Sequence, residues 1–393
     1  MIVVQYGARN HYAAARGFYH HGQLTQLYTD VWIRGTARRL SEMLRHRSSI
    51  AASLLGRHVV DIPDSKVLSF NVNEYSRRLR FLSRASLSAS YYLPLTKAFL
   101  RQCASRLPKS LDPVYCLDDA TEVFAGSNGR RKILEQVGCM DTYFSLRHEE
   151  QQRWPRWEVE HPEEESGENE VVARSEYCFR EADTIIAPSE YVRQDLLSKG
   201  VSSDKIRLVS YWCDSPVREP KEYAGDRPLR VLFVGYSNLM KGLPYLLASI
   251  KGIPRDQVSL RCVGHVNLRD EILQEYSEVE FTGRLPREWM ANQFTWADVF
   301  ILPSLCEGSS LAIYEALSYG CPVITTPNSG SIVRDGIEGI IVPIRASGAL
   351  ANAIGRYVNT PELVRRMSAA ALDLAHRFTL DRYWEALVSA VLQ

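Results

Sequence analysis

VFILPSLCEGSSLAIYEALSYGCPVITT, residues 299–326, runs from an apolar strand through a Gly/Ser turn into a helical pattern and out into a second apolar run. VFILP (299–303) is continuous rather than alternating, as a strand covered on both faces of a parallel sheet reads. The spacing predicts a helix beginning near Ser310, and PVITT (322–326) reads as the next strand. Strand, helix and strand in that order make a βαβ unit, so the expected class is α/β with a parallel sheet.

The same alternation extends outward from this stretch. Strands are expected at 230–235 (RVLFVG), 260–264 (LRCVG), 280–283 (EFTG) and 339–343 (GIIVP), with helical segments between them. Upstream, residues 213–228 turn to Pro, Gly and charge and lose apolar periodicity, which marks a linker. Before it, 2–6, 24–30, 113–118, 132–137, 182–189 and 206–211 read as strands, with a helix from about Asn10 to His21. Residues 31–110 read as a basic helical insertion, and the Glu-rich stretch 158–170 as a solvated loop. The expected organisation is an N-terminal Rossmann-like domain over 1–212, the linker, and a second such domain over 229–375. A closing helix over 376–393 is a candidate to pack back on the first domain.

Length and composition fit two globular domains. The chain has 393 residues, 45% hydrophobic and 24% charged, which excludes disordered and fibrous classes. Its eight cysteines are scattered without a CxxC pair, against a zinc site or disulfide framework and for a reducing compartment. No apolar run is long enough to span a membrane and the N-terminus lacks a signal-peptide pattern, so a cytoplasmic location is expected. The net charge of +1 hides an asymmetry. Residues 1–110 hold 17 Lys/Arg against 5 Asp/Glu, and the remainder 30 against 41. The basic half is a candidate surface for an anionic partner. Residues 34–57 concentrate it, with six arginines and His46 among Leu, Met and Ile at loosely helical spacing, and His58 just beyond. Peripheral contact with an anionic membrane and a solvated helix face are both open readings. No pattern points to nucleic acid.

Chemistry is concentrated at two strand-turn-helix units. In the first, Gly308, Ser309, Ser310 and Leu311 lie where a helix N-terminus presents unpaired N–H groups to a phosphate or sugar oxygen. Glu307 precedes the turn and Glu315 lies over a turn into the helix. If the stretch were wholly helical they would be about 12 Å apart. A hydrolase's carboxylate pair needs about 5–9.5 Å, so the spacing better suits two carboxylates gripping one extended polar ligand. Surface glutamates without function are the alternative. The second unit, VGYSNLMKGLPYLLASI (234–250), places Gly235 and Tyr236 in a turn and Lys241 near a helix start. A lysine there meets phosphate as a point charge, or is simply solvated. Asp118-Asp119 reads as a strand-end turn, and Trp154, Trp157, Trp289 and Trp296 as packing residues.

Taken in order, VG with KGxxxLL (234–247), FTGRLP (281–286), WADVFILPS (296–304), EGxxLxxxEAL (307–317) and GCPVI (320–324) resemble the family-4 retaining glycosyltransferases of the GT-B fold, glycosyl transferases group 1. GARNHYAAARGF (7–18) and ADTIIAPSEYVRQDLL (182–197) are similar to that family too. The resemblance implies two Rossmann-like domains facing across a cleft, with a nucleotide-diphosphate sugar, UDP or GDP, held mainly by the C-terminal one. A glycan or lipid-linked acceptor would be held mainly by the N-terminal domain. It implies no cofactor and no metal. By the same resemblance Glu307 would contact the donor sugar and Glu315 the ribose. Lys241 would neutralise the diphosphate, Gly283-Arg284 would pass the nucleobase, and Gly7 would belong to a loop closing over the phosphates. Asp335-Gly336 would be a structural turn.

The chain departs from the pattern where the family commonly has an arginine after the glycine of its VG turn; here that place holds Tyr236. A phosphate-binding cation is missing, or Arg9 or another residue replaces it. On the acceptor side His11 and His148 are the candidates. The expected function is transfer of a sugar with retention of anomeric configuration, in cell-surface polysaccharide or glycolipid synthesis. A sugar-nucleotide hydrolase or epimerase on the same fold, or a non-catalytic subunit, are the alternatives.

Overall fold

The computed structural model describes residues 1–44, 54–70, 89–159, 167–214 and 219–392. Parts of the basic stretch 34–57, of the Glu-rich stretch 158–170 and of the linker lie outside the described residues.

Two all-parallel sheets account for the strands. The first holds β1 (Ile2–Gln5), β2 (Gln26–Thr29), β3 (Val67–Ser69), β4 (Val114–Leu117), β5 (Lys132–Glu135), β6 (Thr184–Ala187) and β7 (Ile206–Leu208), in spatial order β3-β2-β1-β4-β5-β6-β7. The second holds β8 (Leu229–Val234), β9 (Val258–Val263), β10 (Glu280–Gly283), β11 (Val299–Leu302), β12 (Val323–Thr325) and β13 (Gly339–Ile341), in order β10-β9-β8-β11-β12-β13. Central strands are apolar and shut in: every residue of β1 and of β11 is buried. Helices on both faces make that possible, as the continuous apolar runs require.

Each order reverses once, between β1 and β4 in the first sheet and between β8 and β11 in the second. Neighbouring loops diverge at such a switch point and leave a crevice outside the strand ends, where ligands bind in open α/β sheets. Arg9 and Asp118 follow the strands of the first switch point, and Lys241 and Glu307 those of the second.

Two expectations are corrected. Residues 31–110 are not purely helical: Val67–Ser69 adds an edge strand, paired parallel to β2. Three residues leave little periodicity to read. The first helix begins at Ala13 rather than Asn10, because Asn10, His11 and Tyr12 all adopt positive φ and form a left-handed turn.

Several contacts join the halves, three of them away from the strand-end loops. Helix Leu380–Leu392 returns to helix Ala13–His20, where Trp384 lies against Gly17, stacks on His20 and donates its Nε1–H to the Ala13 carbonyl at 2.9 Å. Gly17 leaves the indole its room, since a Cβ there would sit 2.5 Å from a ring carbon. Helix Met140–Arg153 ends in Trp154–Glu158, which docks on the second domain: Glu158 accepts from the Leu239 N–H, and the Trp157 carbonyl from the Arg269 N–H. Arg345 pairs with Glu149 and Glu150, and the Tyr245 hydroxyl also donates to Glu150. Among the described residues, no helix is long and apolar enough to cross a membrane.

Candidate functional site

The loop leaving β11 is pinned on both sides. The Leu305 N–H donates to the Met240 carbonyl, the Glu307 N–H to the Asn328 carbonyl, and Asn328 Nδ2 to the Leu305 carbonyl, all within 2.8–2.9 Å. On the opposite side, Asn238 caps a short 3₁₀ turn (Leu239–Lys241) with its side-chain oxygen on the Lys241 N–H. Gly242 follows at φ +71, so close to β11 that a Cβ would lie 2.1 Å from the Pro303 carbonyl oxygen. Only glycine allows that approach. Lys241 therefore stands at the end of this 3₁₀ turn, not in the helix Leu243–Ile250 that comes after it.

These two loops bring Lys241 Nζ to 2.5 Å from Glu307 Oε1, and Ser304 donates its hydroxyl to Glu307 Oε2 at 3.0 Å. Both partners of the ion pair are partly buried. Helix Leu311–Ser318 begins next, with Ser310 as N-cap making no side-chain cap bond; the Ile313 N–H is taken by the Ser310 carbonyl, and an anion would meet the positive end of the helix at the N–H groups before it. Since the helix starts at Leu311, the wholly helical 12 Å spacing of Glu307 and Glu315 does not apply. Ser309 turns its hydroxyl to the Gly330 carbonyl and toward Tyr314. Gly308 faces the other domain: a Cβ there would lie 1.7 Å from the Val137 carbonyl oxygen, and its own carbonyl accepts from the Ser189 hydroxyl.

Glu315 lines a cleft of about 760 Å³ between the domains, with Arg287, Asp214, Arg16 and His11. Crowding by protein raises its carboxyl above the ordinary range, against the pull of Arg287 and with a further push from Asp214. Across this cleft Arg287 meets His11 Nε2. Burial and the two arginines, Arg287 and Arg16, hold the His11 imidazole below its usual 6.5. The imidazole is thus neutral and accepts the bond.

The remaining expected residues divide. Tyr236, in the arginine's usual place, stacks on His265 with ring centroids 5.0 Å apart and 12° between planes. Gly235 and Gly283 both have positive φ at strand ends, and Arg284 is exposed. Gly7 (φ +84) donates its N–H to Asp30 and lies beside Arg57. Asp335 accepts from the Ile341 N–H, with Gly336 at φ +74, a structural turn. Arg9 pairs with Asp118 at 2.7 Å and stays about half exposed, so as a phosphate cation it would have to leave that carboxylate, as Lys241 would have to leave Glu307. His148 faces Glu168 at 3.4 Å and lines neither cavity described here. Trp289 is exposed rather than packed. The Asp118-Asp119 turn is more than a strand end, because both residues line a second cavity in the first domain. Ser189, Ser304, Asn328 and Arg287 were not readable as site residues, since serine, asparagine and arginine in loops carry no periodicity.

Residues 228–360 match the family model described as glycosyl transferases group 1. The D-inositol 3-phosphate glycosyltransferase of Streptomyces griseus is 38% identical over 105 residues, 26% of this chain and 22% of that one. The phosphatidyl-myo-inositol mannosyltransferase of Mycobacterium leprae is 28% identical over 172 residues, 42% of this chain and 45% of that one. The chain thus spans less than half the length of these curated relatives. Over its whole length the fold is similar to HepE of Anabaena in complex with UDP and glucose, with TM-score 0.63 and 14% identity, covering 100% of this chain and 98% of that one. The chain has the GT-B fold, two Rossmann-like domains across a cleft, and its residues 228–360 match the glycosyl transferases group 1 family.

Proposed function

We propose that this protein is a retaining glycosyltransferase that moves a sugar from a nucleotide-diphosphate donor, UDP- or GDP-linked, to a hydroxyl of a glycan or lipid-linked acceptor. The pathway would be cell-surface polysaccharide or glycolipid synthesis. The observation that carries this reading is the Lys241–Glu307 pair held between two glycine-dependent loops at the open N-terminus of helix Leu311–Ser318.

Charge grows on the departing diphosphate oxygen as the glycosidic bond breaks. Lys241 and the amides of Ser309, Ser310 and Leu311 would stabilise it from fixed positions, the largest kind of catalytic term. Lys241 is paired with Glu307 in the free protein. A donor's diphosphate would take the ammonium and free the Glu307 carboxylate for the sugar hydroxyls. Glu315 would hold the ribose in the larger cleft, Gly283-Arg284 would flank the base, and the Gly7 loop would close over the phosphates. Lys241 and the helix N-terminus supply the positive charge, so turnover is expected to need no metal. Product analysis with and without acceptor tests the assignment. Transfer product should form in EDTA; free sugar alone would indicate a hydrolase, and EDTA-sensitive, manganese-restored turnover would overturn the metal-free scheme.

A lipid-linked acceptor would place the enzyme on the cytoplasmic face of a membrane. Helix Gly35–Leu44 supports this, since it exposes Leu40 and Met43 beside Arg38 and Arg39. Each basic residue near an anionic leaflet contributes about 1 kcal/mol. Co-flotation with anionic vesicles at low salt is expected, and its absence would remove the membrane from the proposal.

A further inference from the structure

A cavity of about 300 Å³ lies at the switch point of the first sheet, between the ends of β1, β4 and β5 and helix Ala89–Ala104. It is separate from the cleft that holds Glu315. Much of its wall is apolar, with Leu93 and Leu100 on one side and Val171 and Met140 on the other. Its polar groups are mostly committed. Asp118, held at φ +60, spends one oxygen on Arg9 and the other on the Val137 N–H at 3.2 Å. Asp119 is taken by Arg174 and by Thr121.

Gln136 is the exception. It is 3% exposed and lines the cavity, and its Nε2 donates to the Gly138 carbonyl at 2.6 Å, which fixes the orientation of the amide. Its Oε1 has no partner. Among the described residues only three buried side-chain polar atoms are in that position, and of those only Gln136 Oε1 belongs to this cavity. A buried acceptor is seldom left unpaired in a folded protein, so an orphan beside a cavity points to a ligand that supplies the donor. The place fits a substrate: Val137, the next residue, abuts Gly308, itself adjacent to Glu307.

We propose that this cavity binds the terminal unit of the acceptor, that this unit is an uncharged sugar ring, and that Gln136 selects it by accepting a hydroxyl hydrogen bond. This rests on the glycosyltransferase reading. Asp118 and Asp119 line the cavity and each is already paired, with Arg9 and with Arg174, so among the described residues no unpaired cation lines it to receive a phosphate or carboxylate. A lining that mixes aliphatic side chains with a few polar groups matches a pyranose, which carries C–H bonds on its faces and hydroxyls at its rim. The volume lies at the small end for ligand sites, enough for one ring and not for a chain of them.

The test is saturation-transfer NMR on the full chain with methyl α-D-glucoside, mannoside and galactoside, against glucose 6-phosphate. At least one neutral glycoside should show transfer and the phosphate none. Gln136→Leu, close in volume, should weaken that binding about tenfold, and Thr96→Trp, which fills the cavity, should abolish it. Calorimetric titration with UDP and GDP reports separately on the donor side and on folding, and should be unchanged in both variants. Failure of the nucleotides to bind wild-type protein would strike the glycosyltransferase reading instead. Silence from all three glycosides, preference for the phosphate, or full binding by Thr96→Trp would overturn the proposal.

Discussion

At the scale of single residues the two glutamates should fail differently. Glu307 is wired to Lys241 and Ser304 beside the open helix N-terminus, whereas Glu315 lies in the larger cleft. If Glu307 meets the reacting sugar, Glu307→Ala should leave nucleotide affinity nearly intact and lower kcat by roughly 10²–10³. Glu315→Ala should weaken free nucleotide and donor alike, because a contact made equally in substrate and product is lost. Lys241→Ala should harm both. Nucleotide titration beside steady-state kinetics on the three variants checks the pattern, and near-normal kcat in Glu307→Ala would remove the main support for this site. A second residue-level expectation concerns pH. The His11 imidazole titrates below its ordinary 6.5 through burial and the nearby arginines. Above about that value it is neutral in both folded and unfolded chains, and its bond with Arg287 contributes in full. As pH falls below it the unfolded chain takes the proton first, so that contribution is lost progressively toward the folded value. Stability should therefore decline on acidification from pH 7 to 5, less steeply in His11→Gln, as thermal melts at each pH would record.

At the scale of elements, what positions the site is backbone approach, and glycine is the residue that permits it. Gly308 is the sharpest case, since any side chain would collide with a carbonyl of the other domain. Gly308→Ala should force the two strand-end loops apart and cost about 1–3 kcal/mol. The melting temperature should drop and small-angle scattering should show a wider molecule; an unchanged profile would mean that the contact yields easily. This scale also explains what the sequence could and could not disclose. The long apolar runs of β1, β8 and β11 stood out because a strand covered on both faces reads as near-continuously apolar, with only Gln5 and Arg230 interrupting them, and EGSSLAIYE and its neighbours marked the glycine turn before a helix. β3 did not stand out, being three residues at a sheet edge. The left-handed turn at Asn10–Tyr12 is hidden by the helical run that follows it, although Asn10 and His11 are among the side chains that tolerate positive φ. Gln136 was invisible for another reason: a glutamine after a strand becomes informative only when its oxygen is found without a partner.

At the scale of the whole molecule, the question is what holds one domain to the other while a donor and an acceptor meet between them. Arg345 joins the halves from the second domain, reaching Glu150 Oε1 at 2.6 Å and Glu149 at 2.7 Å on helix Met140–Arg153. Arg345 itself is held at φ +62, a backbone geometry that arginine adopts only under constraint. The Glu150 side chain is fully buried and takes its other bond from the Tyr245 hydroxyl, which also receives the Trp154 indole N–H. Removing the arginine would leave a buried carboxylate with a single neutral donor. Breaking a buried pair from one side costs about 3–5 kcal/mol, whereas replacing both partners with apolar groups of similar size is often neutral. Arg345→Met alone should therefore destabilise strongly, and adding Glu150→Met should restore much of the loss. A double-mutant cycle by chemical denaturation measures this directly. If Arg345→Met costs less than about 0.5 kcal/mol, the junction depends instead on Trp154–Glu158 and the returning C-terminal helix, and the ion pair is incidental to it.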